Sequence, residues 1–152
     1  MIRMTHVFDL HRLFRVAALM ALCLAATPSF ASLVSHAFAT RHLVIQISNG
    51  TMAEQKLVLN NAANVLNYLG PDKVQIEIVA FGPGLRLLLK NNINAARVRS
   101  LHAQGVEFAA CHNTMKAAHI TKAMLNPVAR VVPAGMVEIM RRESEGWNYI
   151  RP

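Results

Sequence analysis

The sequence predicts an α/β protein with a mainly parallel sheet of about five strands and helices on both faces. Short apolar runs rich in β-branched residues alternate with segments of helical periodicity. The strand-helix order repeats four times and ends in a strand, and strands separated by helices are joined by crossovers, which favours parallel pairing. The first predicted strand, residues 41–48, contains Leu43, Val44, Ile45 and Ile47, a nearly continuous apolar run of the kind typical of a strand covered on both faces.

The other elements follow at short intervals. Turn residues after the first strand lead into a helix with one apolar stripe, and Gly70-Pro71 ends that helix. Residues 74–81 form the second predicted strand, and Gly82-Pro83-Gly84 is interpreted as a turn, with an anion as a possible ligand. The remaining predicted elements are a helix over 94–104, a strand over 106–110, a helix from Asn113 or Thr114 to Ile120, a strand over 129–132, a helix over 136–145 and an edge strand over 147–150.

Five strands in this arrangement predict a flavodoxin-like three-layer sandwich with strand order 2-1-3-4-5. In that order a ligand crevice opens between the carboxyl ends of strands one and three. Strand one ends at Ser48-Asn49, and strand three ends at Cys111. Glu138 begins the last helix, where the helix dipole favours a carboxylate, and can also approach the crevice from the end of strand four. The predicted pocket residues are Ser48, Asn49, Gly82, Gly84 and Glu138.

The first residues have the layout of a secretory signal peptide. Three arginines precede an apolar run of 11 residues at 16–26, and small residues follow. We expect cleavage after Ala39 or, alternatively, after Ala31, and one domain over residues 40–152. The apolar run is shorter than the roughly 20 residues of a membrane-spanning helix. The prediction is therefore a periplasmic protein without stable membrane insertion after processing.

The chain is basic, with net charge +8, and residues 40–152 alone carry +6. This charge is not gathered into a dense Lys/Arg run or interleaved with aromatic residues, so nucleic acid is not an expected partner. The charge favours anionic small molecules or acidic partners, or it serves solubility alone.

Cys111 is the only cysteine that remains after signal removal, because Cys23 lies inside the apolar run. A thiol at the end of a strand and before a helix start is a candidate nucleophile, since a helix N-terminus stabilises a thiolate. The alternative is a small buried hydrophobe without chemistry, which is common for a free cysteine. The predicted supporting residues are His112, Asn113, Thr114 and Lys116.

Other kinds of site fit the sequence poorly. Cys111, His112 and His119 are spaced unlike the paired ligands of structural zinc, so no metal and no cofactor are expected. A Ser/His/Asp hydrolase has little support, because the nucleophile-elbow glycine pattern is missing and Asp72 is the only aspartate after position 39.

An ordered set of short stretches resembles the DsrE/DsrF-like sulfur-relay family, in its short exported subgroup. The stretches are 42–48 (His-Leu-Val-Ile-Gln-Ile-Ser), 60–65 (Asn-Asn-Ala-Ala-Asn-Val), 73–85, 105–115, 132–140 and 146–152. The resemblance covers nearly all of the chain after the signal. It implies a flavodoxin-like fold, homo-oligomers such as trimers or hexamers, and a persulfide-carrying cysteine at the position of Cys111.

Two functions follow as hypotheses. The first is a sulfur carrier or sulfurtransferase-like protein, in which Cys111 takes sulfur from a donor protein or a small sulfur anion and passes it to an acceptor. The second is a non-catalytic periplasmic protein for small-anion binding or assembly, in which Cys111 is incidental.

Overall fold

The computed structural model describes residues 39–152, so the predicted signal peptide lies outside the described residues except for its last position. The elements are β1 Arg41–Ile47, α1 Met52–Leu69, β2 Val74–Ala80, a 3₁₀ helix Gly82–Leu88, α2 Ala95–Ala103, β3 Val106–Cys111, α3 His112–Ala117, a short 3₁₀ turn Lys122–Met124, β4 Ala129–Val132, α4 Gly135–Ser144 and β5 Asn148–Ile150. The predicted layered α/β fold with a parallel five-stranded sheet is confirmed.

The strand order is β4-β3-β2-β1-β5, so the predicted order 2-1-3-4-5 is wrong. β2 lies between β1 and β3, and the predicted crevice between the ends of strands one and three does not exist. Each of the first three crossovers steps to the next position in one direction, and right-handed crossovers that step in one direction lie on one face. Only the connection through α4 returns across the sheet, and it places β5 beside β1.

The larger apolar core lies between the sheet and the helices α1 to α3. Alternate residues of the strands point into it, because successive side chains of a strand face opposite sides. Phe108 of β3 is 1% exposed and is among the largest fully buried side chains of this core. The core also includes Ile45, Ile47, Val58, Leu59, Leu66, Ile76, Ile78, Leu85, Leu87, Leu88, Val98, Leu101, Val106 and Met115.

The opposite face is covered by α4 and has a much smaller apolar cluster. This cluster consists of Val44, Val79, Ala109, Val132, Ile139 and Trp147, with Phe81 packed against it. Trp147 leads into β5 and stacks on the ring of His42, with 5.3 Å between the ring centroids. The predicted edge strand is confirmed, and its aromatic anchor is Trp147.

Two element boundaries differ from the sequence prediction near Cys111. The helix after β3 begins at His112 with Cys111 as its N-cap, so neither Asn113 nor Thr114 is the cap. It also ends at Ala117, before His119, whose φ of 53° lies in the left-handed region. Within residues 39–152, no helix combines the length and apolar character needed to cross a membrane.

Candidate active site at the carboxyl end of β3

Cys111 is the last residue of β3 and pairs with Val132 of β4. Ala110 belongs to the large core, whereas Ala109 belongs to the cluster under α4. Cys111 therefore faces the α4 side, as strand alternation requires. The residue is 5% exposed and is the free cysteine of the described residues. The thiol thus lies at the edge of the sheet, between the first residues of α3 and those of α4.

The environment of Cys111 favours the thiolate. Burial raises the pKa of the thiol, but hydrogen bonding from the Thr114 hydroxyl and from the backbone N–H groups of Thr114, Gly135 and Asn113 lowers it by more, so the pKa lies below its ordinary value. The neutral Cys111 side chain makes no helix-cap hydrogen bond of ordinary geometry. A lower pKa increases the fraction of thiolate, which is the nucleophilic form of a cysteine.

Thr114 links the sulfur to the loop after β2. Its Oγ1 accepts a hydrogen bond from the Gly82 N–H at 2.9 Å, which leaves the hydroxyl hydrogen free to point at Cys111. A hydroxyl oxygen can accept and donate at the same time. Gly82 has φ 52°, in the left-handed region that glycine adopts most easily. The predicted glycine loop therefore contributes to the site through Thr114.

Gly135 brings the N-terminus of α4 close to the sheet. A Cβ at this position would lie 2.9 Å from Cδ1 of Phe81, a contact closer than real Cβ atoms make. Only glycine lets the first turn of α4 pack on Phe81, and its N–H then contributes to lowering the Cys111 pKa. Gly135 directly precedes the predicted helix 136–145 and was not predicted to lie near the thiol. The Pro-Ala-Gly sequence before an amphipathic helix was the available signal.

The structure separates the other predicted pocket residues into three groups. The Ser48 carbonyl accepts the Gly84 N–H at 3.1 Å, so these two residues join the ends of β1 and the loop after β2. Asn49 Oδ1 accepts the Thr51 N–H at 3.1 Å, at the start of α1. Glu138 lies among ion pairs under α4. None of these three groups is among the main contributors to the Cys111 pKa.

The predicted supporting residues on α3 have unequal roles. Thr114 acts through its hydroxyl and its N–H, and Asn113 acts through its N–H. His112 and Lys116 are exposed, and neither is among the largest contributors to the Cys111 pKa. The hydrogen-bond donors of the backbone and Thr114 therefore outweigh the nearby charged side chains.

A cleft of about 380 Å³ adjoins the site between the 3₁₀ helix and α3. Thr114 and its hydrogen-bond partner Gly82 line it, so the cleft reaches the residue whose hydroxyl lowers the Cys111 pKa. The exposed Arg86 also lines it and has no carboxylate within 4 Å in the described part of the chain. Its other lining residues are Pro83, Leu85, Ala117, Ala118 and Ile120. The cleft is thus mostly apolar, with one cation available to an anion.

A charge cluster under α4 was not found from the sequence. We name it the α4 charge cluster, and it consists of Glu77, Glu107, Arg130, Glu138 and Arg142. Glu77 stands in an otherwise apolar half of β2 and is 0% exposed. A lone carboxylate inside an apolar strand was the signal for a buried ion pair, since such groups are rarely buried unpaired. Among residues 39–152 no three His, Cys, Asp or Glu side chains gather as a metal site.

The fold and site define an α/β protein that presents a single cysteine at the carboxyl edge of a parallel sheet, between two helix N-termini. The chain belongs to the DsrE/DsrF-like family, whose model matches residues 41–152. The solved structure of a protein of unknown function from Methanobacterium thermoautotrophicum is similar, with 34% sequence identity and a TM-score of 0.71. That match covers 74% of this chain and 99% of the archaeal chain. The comparison with curated proteins gives no match.

Proposed function

We propose that this protein is a sulfur carrier that holds sulfur as a persulfide on Cys111. Membership in the DsrE/DsrF-like family supports a function of the sulfur-relay type. The observation that carries the proposal is the position of Cys111 at the carboxyl end of β3, as the N-cap of α3, where hydrogen bonding from Thr114, Asn113 and Gly135 lowers the thiol pKa. A carrier cysteine must be a thiolate to attack, and these donors stabilise that form.

The proposed reaction has two steps. In loading, the Cys111 thiolate attacks the outer sulfur of a donor persulfide; a bond forms between Sγ and that sulfur, the donor S–S bond breaks, and the donor leaves as a thiolate. With thiosulfate the leaving group is sulfite. In unloading, an acceptor thiolate attacks the outer sulfur of the Cys111 persulfide, and Cys111 leaves as the thiolate. No net oxidant is needed, because sulfur moves between thiols at a constant oxidation level.

The surrounding residues have distinct roles in this proposal. Thr114 and the N–H groups of Asn113 and Gly135 stabilise the negative charge on Cys111 before attack and when it is the leaving group. His112 is exposed at the start of α3 and exchanges a proton with the persulfide or the leaving thiol. Lys116 adds positive charge on the same helix.

The cleft beside Thr114 is the proposed approach for the sulfur donor or acceptor. Its volume of about 380 Å³ suits a small molecule or an inserted peptide segment. Arg86 supplies a cation for a sulfur anion or for an acidic group on a partner protein. Because Cys111 is buried, the reacting sulfur reaches it past Thr114 or after a small movement of the adjoining loops.

We further propose that the protein is exported to the periplasm and assembles as a trimer or hexamer. The signal-like layout of residues 1–39 supports export. Exposed apolar side chains on α4 support self-association, since such groups often mark contacts between subunits. These side chains are Met136, Val137 and Met140.

The first experiment measures Cys111 directly in a Cys23→Ser protein, in which it is the only thiol. The rate of alkylation is followed against pH, and intact mass is recorded after exposure to thiosulfate or polysulfide. We expect a thiol pKa below the ordinary value of about 8.5 and a mass increase of one sulfur atom that a reductant removes. The additional Cys111→Ser variant is the control and must gain no mass. A slowly reacting thiol without an adduct contradicts the proposal.

A non-catalytic small-anion-binding protein is the second candidate, favoured by the 5% exposure of Cys111. In that case the anion occupies the cleft beside Arg86, and the thiol is a packing residue. Binding of thiosulfate that is equally tight in the Cys111→Ser variant, with no adduct in the parent protein, supports this second function.

A further inference from the structure

We infer that Arg130 is a positioning residue for Cys111: it ties α4 to the sheet and thereby holds the Gly135 N–H against the sulfur. The inference concerns how the thiolate is maintained, and its consequence for sulfur transfer rests on the proposed function. Arg130 is in β4, and it connects Glu77 of β2 with Glu138 of α4. None of these three residues is among the largest causes of the shift in the Cys111 pKa.

Apolar packing alone holds α4 weakly. Ile139 is its only buried apolar side chain, while Met136, Val137 and Met140 are more than half exposed. The apolar cluster under α4 is also far smaller than the core on the other face of the sheet. The position of this helix therefore depends strongly on its polar contacts.

The ion pairs fix α4 near both ends. Towards its N-terminus, Nη2 of Arg130 lies 2.6 Å from Oε1 of Glu77 and 2.8 Å from Oε1 of Glu138. Towards its C-terminus, Nε of Arg142 lies 2.6 Å from Oε2 of Glu77, and its Nη2 lies 2.9 Å from Oε2 of Glu107. Glu138 is three residues after Gly135, within one helical turn, so the Arg130 pair is the tether that acts on the end of α4 nearest the thiol.

Within the described chain, Arg130 is the only partner of Glu138 that lies outside α4. The other cations near Glu138 are Arg141, at 2.7 Å, and Arg142, at 3.6 Å, and both belong to α4 itself. Their pairs with Glu138 stabilise the helix without attaching it to the sheet. Loss of Arg130 therefore detaches Glu138 from the sheet and leaves the buried Glu77 with one cation fewer, a costly state for a buried charge.

The register places this tether next to the thiol. Arg130 pairs with Ala109 and Val132 pairs with Cys111, so Arg130 lies on the same face as Cys111, about 7 Å back along the strands. A cation at this distance also acts on a thiolate through space. The experiment must therefore separate the position of α4 from simple loss of positive charge.

The test compares three variants of the Cys23→Ser protein. Arg130→Met removes the tether and its charge. Arg130→Lys keeps the charge, but its shorter side chain places the nitrogen away from the position where Nη2 of Arg130 contacts both Glu77 and Glu138. Arg141→Met is the matched control. It removes a cation bound to the same Glu138, but the partners of Arg141 are Glu138 on α4 and Glu145 at the C-cap of α4, so neither attaches the helix to the sheet. The first readout is the Cys111 pKa from alkylation rates against pH.

The second readout is the amide of Gly135, which can be observed selectively. Of the seven glycines, only Gly135 follows an alanine. Labelling alanine with ¹³C at the carbonyl and glycine with ¹⁵N therefore gives one cross-peak in an amide spectrum that selects nitrogen bonded directly to a ¹³C carbonyl. In the parent protein we expect this peak to shift with the same pKa as alkylation. In Arg130→Met we expect the shift on ionisation to be lost and the thiol pKa to rise by about one unit, a tenfold lower thiolate fraction at a pH below both pKa values.

Each outcome decides the inference. We expect Arg130→Lys to give a smaller rise, and Arg141→Met to leave both readouts near those of the parent protein. An unchanged thiol pKa in Arg130→Met, or equal rises in Arg130→Met and Arg141→Met, overturns the inference. A raised pKa in Arg130→Met with the shift of the Gly135 amide on ionisation retained assigns the effect to charge alone and also overturns it. If Arg130→Met does not fold, the comparison of Arg130→Lys with Arg141→Met decides in the same way. Failure to form a persulfide overturns the proposed function but leaves these pKa comparisons valid.

Discussion

The Thr114 hydroxyl oxygen accepts the Gly82 N–H at 2.9 Å, so the first turn of α3 is fixed to the loop that follows β2. The same hydroxyl lowers the pKa of Cys111. One side chain thus both connects two loops at the carboxyl edge of the sheet and orients a donor towards the thiol.

Thr114→Val keeps the shape of the side chain but removes the hydroxyl. We expect the Cys111 pKa to rise by about one unit, because the largest pKa-lowering contribution is lost. Unfolding free energy should fall by about 1 kcal/mol, since the Gly82 N–H loses its acceptor. Alkylation rates against pH and urea unfolding measure the two effects. Thr114→Ser, which keeps the hydroxyl, is the control and should retain the low pKa; an equal rise in both variants contradicts the assigned role.

Gly135→Ala tests the close approach of α4 to Phe81. The added methyl group would lie 2.9 Å from the Phe81 ring, so α4 must move away. We expect a loss of about 1–3 kcal/mol in unfolding free energy and a higher Cys111 pKa. Phe81→Ala should recover part of both effects in the double variant, because it removes Cγ and Cδ1, two of the three Phe81 atoms that the added methyl group would approach. Purely additive effects in the double-mutant cycle would show that Phe81 does not set the position of Gly135.

We expect protonation of Glu138 to lower the stability of the fold in acid. Burial raises the pKa of Glu138, but hydrogen bonds and charges from Arg141 and Arg130 lower it by more. The pKa therefore falls from an ordinary 4.5 to about 2. Because the folded value is the lower one, this contribution is present above pH 4.5 and is lost as the pH falls towards 2. It amounts to at most about 3 kcal/mol.

Urea unfolding between pH 2 and pH 7 measures this contribution by comparing the parent protein with Glu138→Gln. We expect the difference between them to shrink as the pH falls through that window. Glu77 acts in the opposite direction, because burial raises its pKa despite its arginine partners. Its contribution is present in acid and is lost as the pH rises through that raised pKa. A constant difference across the whole range contradicts the assignment to Glu138.

Glu77→Ala removes the buried centre of the α4 charge cluster. Arg142 is only 12% exposed and loses its 2.6 Å partner, and Arg130 loses its partner on β2. Removal of one member of a buried pair costs about 3–5 kcal/mol, so we expect a loss of roughly that size in urea unfolding. Glu145→Ala removes an exposed partner of Arg141 and should cost less than about 0.5 kcal/mol. Similar losses in both variants would mean that the cluster does not stabilise the fold.

The element types followed from local sequence. The apolar strands, Gly70-Pro71 at the end of α1 and the apolar strand ending near Cys111 appear in the structure close to their predicted places. The helix after Cys111 was misplaced because its cap is Cys111 itself, a residue without a strong capping preference. The strand order failed for a different reason: sequence shows how many crossovers there are but not the direction in which each one steps.

The sequence by itself determined a parallel α/β layer structure, a basic chain and a single thiol at the end of a buried strand, because strand periodicity, charge and cysteine count are local properties. Tertiary structure decided what surrounds that thiol. Gly135 lies 24 residues beyond Cys111 in the chain, and its N–H lowers the thiol pKa only because α4 crosses back over the sheet. Glu77 and Arg130 meet only after β2, β3 and β4 pair side by side. Contacts between residues so far apart in the sequence depend on how the crossovers arrange the strands, and local sequence patterns do not determine that arrangement.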